Sequence, residues 1–465
     1  MRKQKNTAPA ADQALVSTPF EKIAYAFGDI GNISWLMTSS FLTVYYTDCV
    51  GLNAAFMGTM MLCCRIFDGV SDLLVGSLVD KTHSKWGKAR PWILFVMVPL
   101  NISVFLMFNV PSSLSGTALY AYTAVTYFLT TVVFYTSINI AYQALLPRFS
   151  LTTQDRNVVG AVRTLVSNIA TIIVSMVIPI ILTANGGYGS QATWRIIVIV
   201  LCMISIAAYS FTFLGIHEKT EILEKRADQE EKKEEVSLIV GIKALLKHRY
   251  FYIVCVCFMA FAISGGATGI NVYFAGDVLG NDNLYGVTTL LSFGPMLLGV
   301  PFVPTLFKKF GKRNTICVGL LISICAGIVN LLNPYSIPLY FVTAFIRSLA
   351  SSPMTTSLFT LAGDLVDYNQ WKYGIRTEGL ATSASSLGSK LGTGIGSAVL
   401  GWGLALGGYD GTLAVQAQGT VNMIIAIAIG LPVLIMTIAF VLMLFWNLEK
   451  YGDEIKGYLM NHMSD

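Results

Sequence analysis

The chain has 465 residues, of which 54% are hydrophobic and only 12% charged, with a formal net charge of +5. At a mean hydropathy of +0.63 it carries more apolar surface than a soluble domain of this length hides, so the composition predicts an all-α polytopic membrane protein embedded in the lipid bilayer. The positive balance lies in short connections, where it reports topology, and gives no reason to expect a nucleic-acid partner.

About twelve apolar runs are long enough to cross a hydrocarbon core of roughly 30 Å. In chain order they are predicted at 21–48, 55–79, 91–109, 118–147, 157–183, 194–216, 250–277, 286–307, 314–333, 336–363, 377–408 and 420–447. The first 20 residues are polar and show no cleavable signal peptide, so the first run is expected to stay as a span. Lys and Arg fill the N-terminal tail, the even-numbered connections and the C-terminal tail, which predicts a multi-pass cell-membrane protein with both termini in the cytoplasm.

The first run carries Asn32. The second holds Arg65, Asp68 and Asp72 at helical spacing i, i+3, i+7. A charge at the centre of a membrane helix costs about 3 kcal/mol or more, so such groups face protein or line an ion path. Two carboxylates one turn apart in low dielectric repel unless a proton or metal cation sits between them, which predicts a cation site at Asp68 and Asp72 with Arg65 in the same charge network. The competing reading is a buried Arg65–Asp68 pair. The connection after it contains Asp80, Lys88 and Arg90. These form, with Asp364, Asp367, Arg376 and Glu378 farther on, an expected cytoplasmic gate of salt bridges, set against plain positive-inside charge.

Asn139, Tyr142 and Gln143 follow in the fourth run and Ser383 in the eleventh. With Asn32 they supply the oriented polar groups that a sugar cavity needs, although Asn in a membrane helix also serves as interhelical glue. Arg163 lies about 10 Å into the fifth run, near enough to the interface to snorkel. Residues 217–249 read as a charged cytoplasmic linker, a solvated tether between halves at 1–216 and 250–449, with a tail at 450–465. Arg347 sits centrally in the tenth run without a motif, a candidate for the charge network. Lys390, about 13 residues into the eleventh, demands a negative partner. Gly388, Gly392, Gly394 and Gly396 beside it form a small-residue packing face.

Trp86-Gly87-Lys88-Ala89-Arg90 after the second span and Phe310-Gly311-Lys312-Arg313 after the eighth form a faint internal repeat. Two six-helix halves related by a repeat predict a secondary transporter with its sites between the halves and alternating access. No GxxxxGK[ST] loop is present for ATP. Seven of the eight cysteines fall inside spans without metal-ligand spacing, and no nucleophile meets a base, so neither a metal centre nor an enzyme is expected.

Several strings carry a resemblance: Gly28-Asp29-Ile30-Gly31-Asn32, Tyr46-Thr47-Asp48, Arg65-Ile66-Phe67-Asp68-Gly69-Val70-Ser71-Asp72, Lys85 through Trp92, Asn139-Ile140-Ala141-Tyr142, and Asp364-Leu365-Val366-Asp367-Tyr368 with Trp371, Lys372, Gly374, Arg376 and Glu378. Together with Arg163 and Lys390 they resemble the glycoside-pentoside-hexuronide:cation symporter family over nearly the whole chain. The resemblance implies a major facilitator fold of two six-helix halves and symport of a small sugar by a chain that functions as a monomer, with no bound cofactor. The implied coupling cation is Na⁺ or H⁺ at Asp68 and Asp72, with an added oxygen from Thr136. It also implies that Lys390 couples cation and sugar sites and that Arg163 contacts sugar or gates. Asn32, Asn139 and Gln143 replace two acids and a tryptophan of the melibiose-type members, which puts an α-galactoside in doubt and leaves hexuronides and neutral pentosides. The alternatives are a cation-dependent lysolipid carrier, disfavoured by the polar midplane, and a non-transporting sugar sensor, disfavoured by the short tail.

Overall fold

A computed structural model describes residues 16–219, 249–373, 378–413, 415–451, 454–455 and 457–458. The first span begins at a capping box: the Thr18 hydroxyl accepts from Glu21 N at 3.2 Å and the Glu21 carboxylate from Thr18 N at 2.7 Å, with Pro19 at the first helical position. It runs over Pro19–Gly31, breaks at Asn32, resumes over Ile33–Val44 and ends in a wider π-helical turn, Tyr45–Cys49.

The next five spans are Ala54–Lys81, Arg90–Met107, Gly116–Phe128 continued through a π-helical stretch to Thr136–Phe149, Thr153–Ala184 and Gln191–Gly215. The seventh is Arg249–Gly266 with the short turns Ile270–Tyr273 and Phe274–Val278. The eighth is Leu284–Gly299 extended by Val303–Phe310, and the ninth and tenth are Lys312–Leu332 and Ile337–Tyr373. Glu378–Gly407 is the eleventh, and Gln418–Ile425 leading to Leu431–Leu444 the twelfth. Eight of these helices are long and apolar enough to cross a membrane by length and composition; the first, second, tenth and eleventh spans are not among them. Those four hold Asn32, the Arg65–Asp68–Asp72 stripe, Arg347 and Lys390. Polar groups of that kind persist in a bilayer only where the helix turns them toward protein or water.

The described residues divide into two compact units, 16–38 with 67–219, and 39–66 with the residues from 249 onward. In the second unit the expected glycine face splits in two. A Cβ on Gly392 would lie 2.4 Å from the Met259 carbonyl oxygen and one on Gly396 2.0 Å from that of Ile263, so these glycines let the eleventh span touch the seventh backbone to backbone. Gly394 turns instead to the second span, where its Cβ would meet that of Arg65 at 3.0 Å.

The internal repeat acquires a physical meaning as a clip between the third and sixth spans of each half. The Glu218 carboxylate accepts the backbone N–H groups of Lys88, Ala89 and Arg90 at 3.0, 2.8 and 3.0 Å, satisfying orphan donors at the start of the third span. Gly87 stands at φ +99°, and any Cβ there would collide with the Glu218 carboxyl at 2.4 Å. The Arg90 guanidinium closes the clip by donating to the Phe213 carbonyl at 2.7 Å. In the other half Glu449 accepts from Arg313 N, and the Arg313 guanidinium donates to the carbonyls of Met443 and Leu444 and, at 3.0 Å, to Asn447.

Glu218 corrects the expectation of a wholly solvated linker. Its side chain is 1% exposed, and Lys219 bonds back through its N–H to the Arg148 carbonyl at 2.9 Å, so 217–219 belong to the fold. The linker from 220 to 248 lies outside the described residues. Replacing Glu218 with Gln removes a charge-assisted acceptor, worth about 1.5–3 kcal/mol. The variant is expected to melt earlier in detergent while uptake per folded molecule is kept; an unchanged melting midpoint would refute the clip.

Candidate cation and sugar sites

In the first unit the interruption of the helix at Asn32 sets the local geometry. Asp29, one turn before it, is buried and accepts from Arg163 Nε at 2.7 Å and from the Tyr142 hydroxyl at 3.2 Å. Tyr142 is 1% exposed and stacks on Tyr25 with ring centroids 4.4 Å apart; each hydroxyl donates to the other residue's backbone carbonyl. The Arg163 guanidinium carbon lies 4.8 Å from the Tyr142 ring centroid. At the break, Asn32 Oδ1 accepts from the Tyr209 hydroxyl at 2.6 Å. Tyr142 and Arg163 therefore hold one another and Asp29 in place, whereas Gln143 is exposed and Asn139 half-buried on the same span. Trp35 and Tyr135 stack at 4.0 Å and 18°, an aromatic pair of the kind that sugar rings pack against.

The second-span acids are carried by a single helix, Ala54–Lys81. Asp68 is 6% exposed and accepts a short hydrogen bond from the Thr136 hydroxyl, while Asp72, one turn on, is half-buried. Thr136 arrives there because the fourth span widens into a π-helical stretch, Leu129–Tyr135, immediately before it; the Thr136 hydroxyl also lies 3.1 Å from the Thr131 carbonyl. Such bulges re-aim side chains and cluster at functional sites. A buried carboxylate, a hydroxyl and a second carboxylate one turn away make an oxygen set suited to a proton or a hard monovalent cation.

In the second unit Lys390 is half-buried on the eleventh span, two residues before Gly392, which meets the seventh, and Arg65 packs beside Gly394. Arg347 opens into a small polar cavity on the tenth span. Among the expected gate residues, Asp80 pairs with Arg148 at 3.1 Å, Asp364 pairs with Lys312, and Arg90 serves the clip together with the Lys88 backbone. Asp367 is half-buried and engaged. Arg376 lies outside the described residues, as do the side chains of Glu378 and Ser383.

Asp29, inside the Gly28-to-Asn32 string, is a functional candidate not expected from the sequence. Its signal is the one that marks Asp68: a carboxylate inside an apolar run. Tyr25 and Tyr209 gave no such signal, because a tyrosine in an apolar helix reads as packing.

A sequence model of the family described as MFS/sugar transport protein matches residues 24–450. The isoprimeverose transporter of Lactiplantibacillus pentosus is 28% identical over 94% of this chain and 90% of its own length. The glucuronide carrier protein homolog of Escherichia coli K12 is 28% identical over 93% of each chain. Among solved structures, a bacterial homolog of the human lysosomal transporter Spinster superposes with a TM-score of 0.65 at 13% identity, covering 92% of this chain and 98% of that one.

Proposed function

We propose, since the chain belongs to the MFS/sugar transport protein family, that it is a cation-coupled symporter of a glycoside, pentoside or hexuronide. It is a multi-pass membrane transporter of the major facilitator fold and not an enzyme. The names of its relatives, an isoprimeverose transporter and a glucuronide carrier homolog, support a sugar as cargo. The observation that carries the coupling is the buried Asp68 carboxylate held by Thr136 one turn from Asp72.

In this reading Na⁺ or H⁺ loads at Asp68 and Asp72. The Thr136 hydroxyl turns its lone pair to an arriving cation in place of its bond to Asp68. Sugar binds to Asn32, Asn139, Gln143 and Ser383, with Arg163 and Tyr142 holding the floor of the site, and Lys390, Arg65 and Arg347 set the electrostatic balance. Coupling arises when cation and sugar both favour the occluded state, so that each raises the affinity of the other by the same factor. The carrier works as a monomer in the cell membrane with both termini in the cytoplasm. Of the expected gate residues, Lys88, through its N–H, and Arg90 are taken up by the clip; Asp80, Asp364, Asp367, Arg376 and Glu378 remain to exchange partners as it opens inward.

Proteoliposomes given an imposed Na⁺ or proton gradient are expected to accumulate at least one labelled glycoside, pentoside or glucuronide. Absence of uptake of every sugar under both gradients would overturn the proposal and favour a lysolipid cargo or a sensor.

A further inference from the structure

Several basic side chains of the described residues have a clear partner. Arg163 meets Asp29, Arg148 meets Asp80 and lies 3.8 Å from Glu218, Lys22 meets Asp155, and Lys312 meets Asp364. Arg313 is spent on the clip carbonyls. Arg347 is different. Among the described residues it makes no ion pair with a carboxylate, and its buried Nη1 has no hydrogen-bond partner. Among the described residues the polar side chain that interacts with it is Tyr340, which carries no negative charge to balance it.

Arg347 lines a cavity of about 190 Å³ inside the second unit, between the seventh, eighth, tenth and twelfth spans. No acidic residue among the described ones lines that cavity. Four of its hydroxyls are spent on carbonyls: Ser292 donates to Thr288 and Ser351 to Ser348, both at 2.8 Å, Thr268 to Gly265 at 2.9 Å and Ser348 to Ser292 at 2.6 Å. Ser264 and Asn271, facing the same space from the seventh span, make no side-chain hydrogen bond among the described residues. The wall from the twelfth span, Ile427 to Met436, is apolar and raises the strength of any charge interaction there.

A guanidinium at membrane depth without a counter-charge is costly, and its Nη donors are built for paired oxygens. From these observations we propose that Arg347, Ser264 and Asn271 form an oxyanion-binding site within the second unit. At roughly 30 Å³ per water the cavity holds about six waters. That is room for a carboxylate, a sulfonate or a small free oxyanion, and too little for a whole glycoside, whose pockets start near 300 Å³. The anion is therefore either the charged group of a larger cargo or a free ion that neutralises Arg347.

The test is thermal unfolding of the purified full-length protein in detergent, titrated with sodium sulfate, sodium glucuronate or neutral methyl xyloside at constant sodium and ionic strength. Sulfate, glucuronate or both are expected to raise the unfolding midpoint with saturation. Arg347→Gln should weaken that apparent affinity at least about tenfold, the loss of one charged hydrogen-bonded contact, Arg347→Lys should keep part of it, and any xyloside effect should be unaltered. A response to glucuronate alone marks the charged group of a cargo, and an equal response to sulfate marks a free ion. No rise with either anion in the unmodified protein, or the same rise in Arg347→Gln, would overturn the site. Should Arg347→Gln fail to fold, Asn271→Leu replaces it. Because no gradient or sugar uptake enters this readout, a failure of sugar symport leaves it intact, and its own failure leaves symport intact.

Discussion

Asp68→Asn is expected to abolish gradient-driven sugar accumulation, lowering it about a hundredfold or more. The amide keeps the shape and the oxygen that accepts from Thr136, so the helix contact survives. What disappears is the negative charge. A buried hard-cation site that loses it forfeits roughly 3 kcal/mol of cation affinity, two factors of ten. Asp72→Cys removes the second carboxylate and is expected to act the same way. Downhill counterflow of sugar should outlast both changes, because they remove the coupling ion and leave the sugar side chains alone. Concentrative uptake that continues undiminished in either variant would sink the cation assignment.

Arg163→Gln carries the largest expected effect on stability. It strips Asp29 of its 2.7 Å partner in a buried setting, with only the 3.2 Å bond from Tyr142 left. Breaking a buried ion pair from one side costs about 3–5 kcal/mol, because the remaining charge is uncompensated. The packing offers no slack: a Cβ on Gly28 would already meet the Tyr142 ring at 2.2 Å. Adding Asn at position 29 should restore most of the loss, since a neutral amide accepts from Tyr142 without needing a cation. Thermal unfolding of the single and double variants measures this directly. A single variant as stable as the parent, or a double variant no better than the single, would contradict the pairing.

The spans, their order and the stripe at Asp68 and Asp72 were legible because hydrocarbon leaves few options: a charge in an apolar run needs a reason, and helical spacing says which charges travel together. The repeat after the second and eighth spans was legible as a string, but its purpose was not. Glu218 and Glu449 lie 128 and 136 residues from the arginines whose N–H groups they accept, beyond any local periodicity. For the same reason Glu218 passed for a solvated linker charge. Asp29 was visible as a carboxylate among apolar residues, yet its partner Arg163 lies 134 residues away and gave no sign of the pairing. The π-helical stretch that aims Thr136 has no marker in composition, since it changes only the winding of the backbone.

The clips also set a schedule. A ribosome adding about 5–20 residues per second needs roughly 6–26 seconds to travel from Arg90 to Glu218. Through that interval the N–H groups at the start of the third span are without the carboxylate that accepts them in the folded protein. The second clip repeats the wait, because Glu449 is made 136 residues after Arg313. Each clip therefore closes only after the sixth helix of its half is made, and a ribosome stalled before Glu218 would leave five or six helices without the bond that ties the third to the sixth.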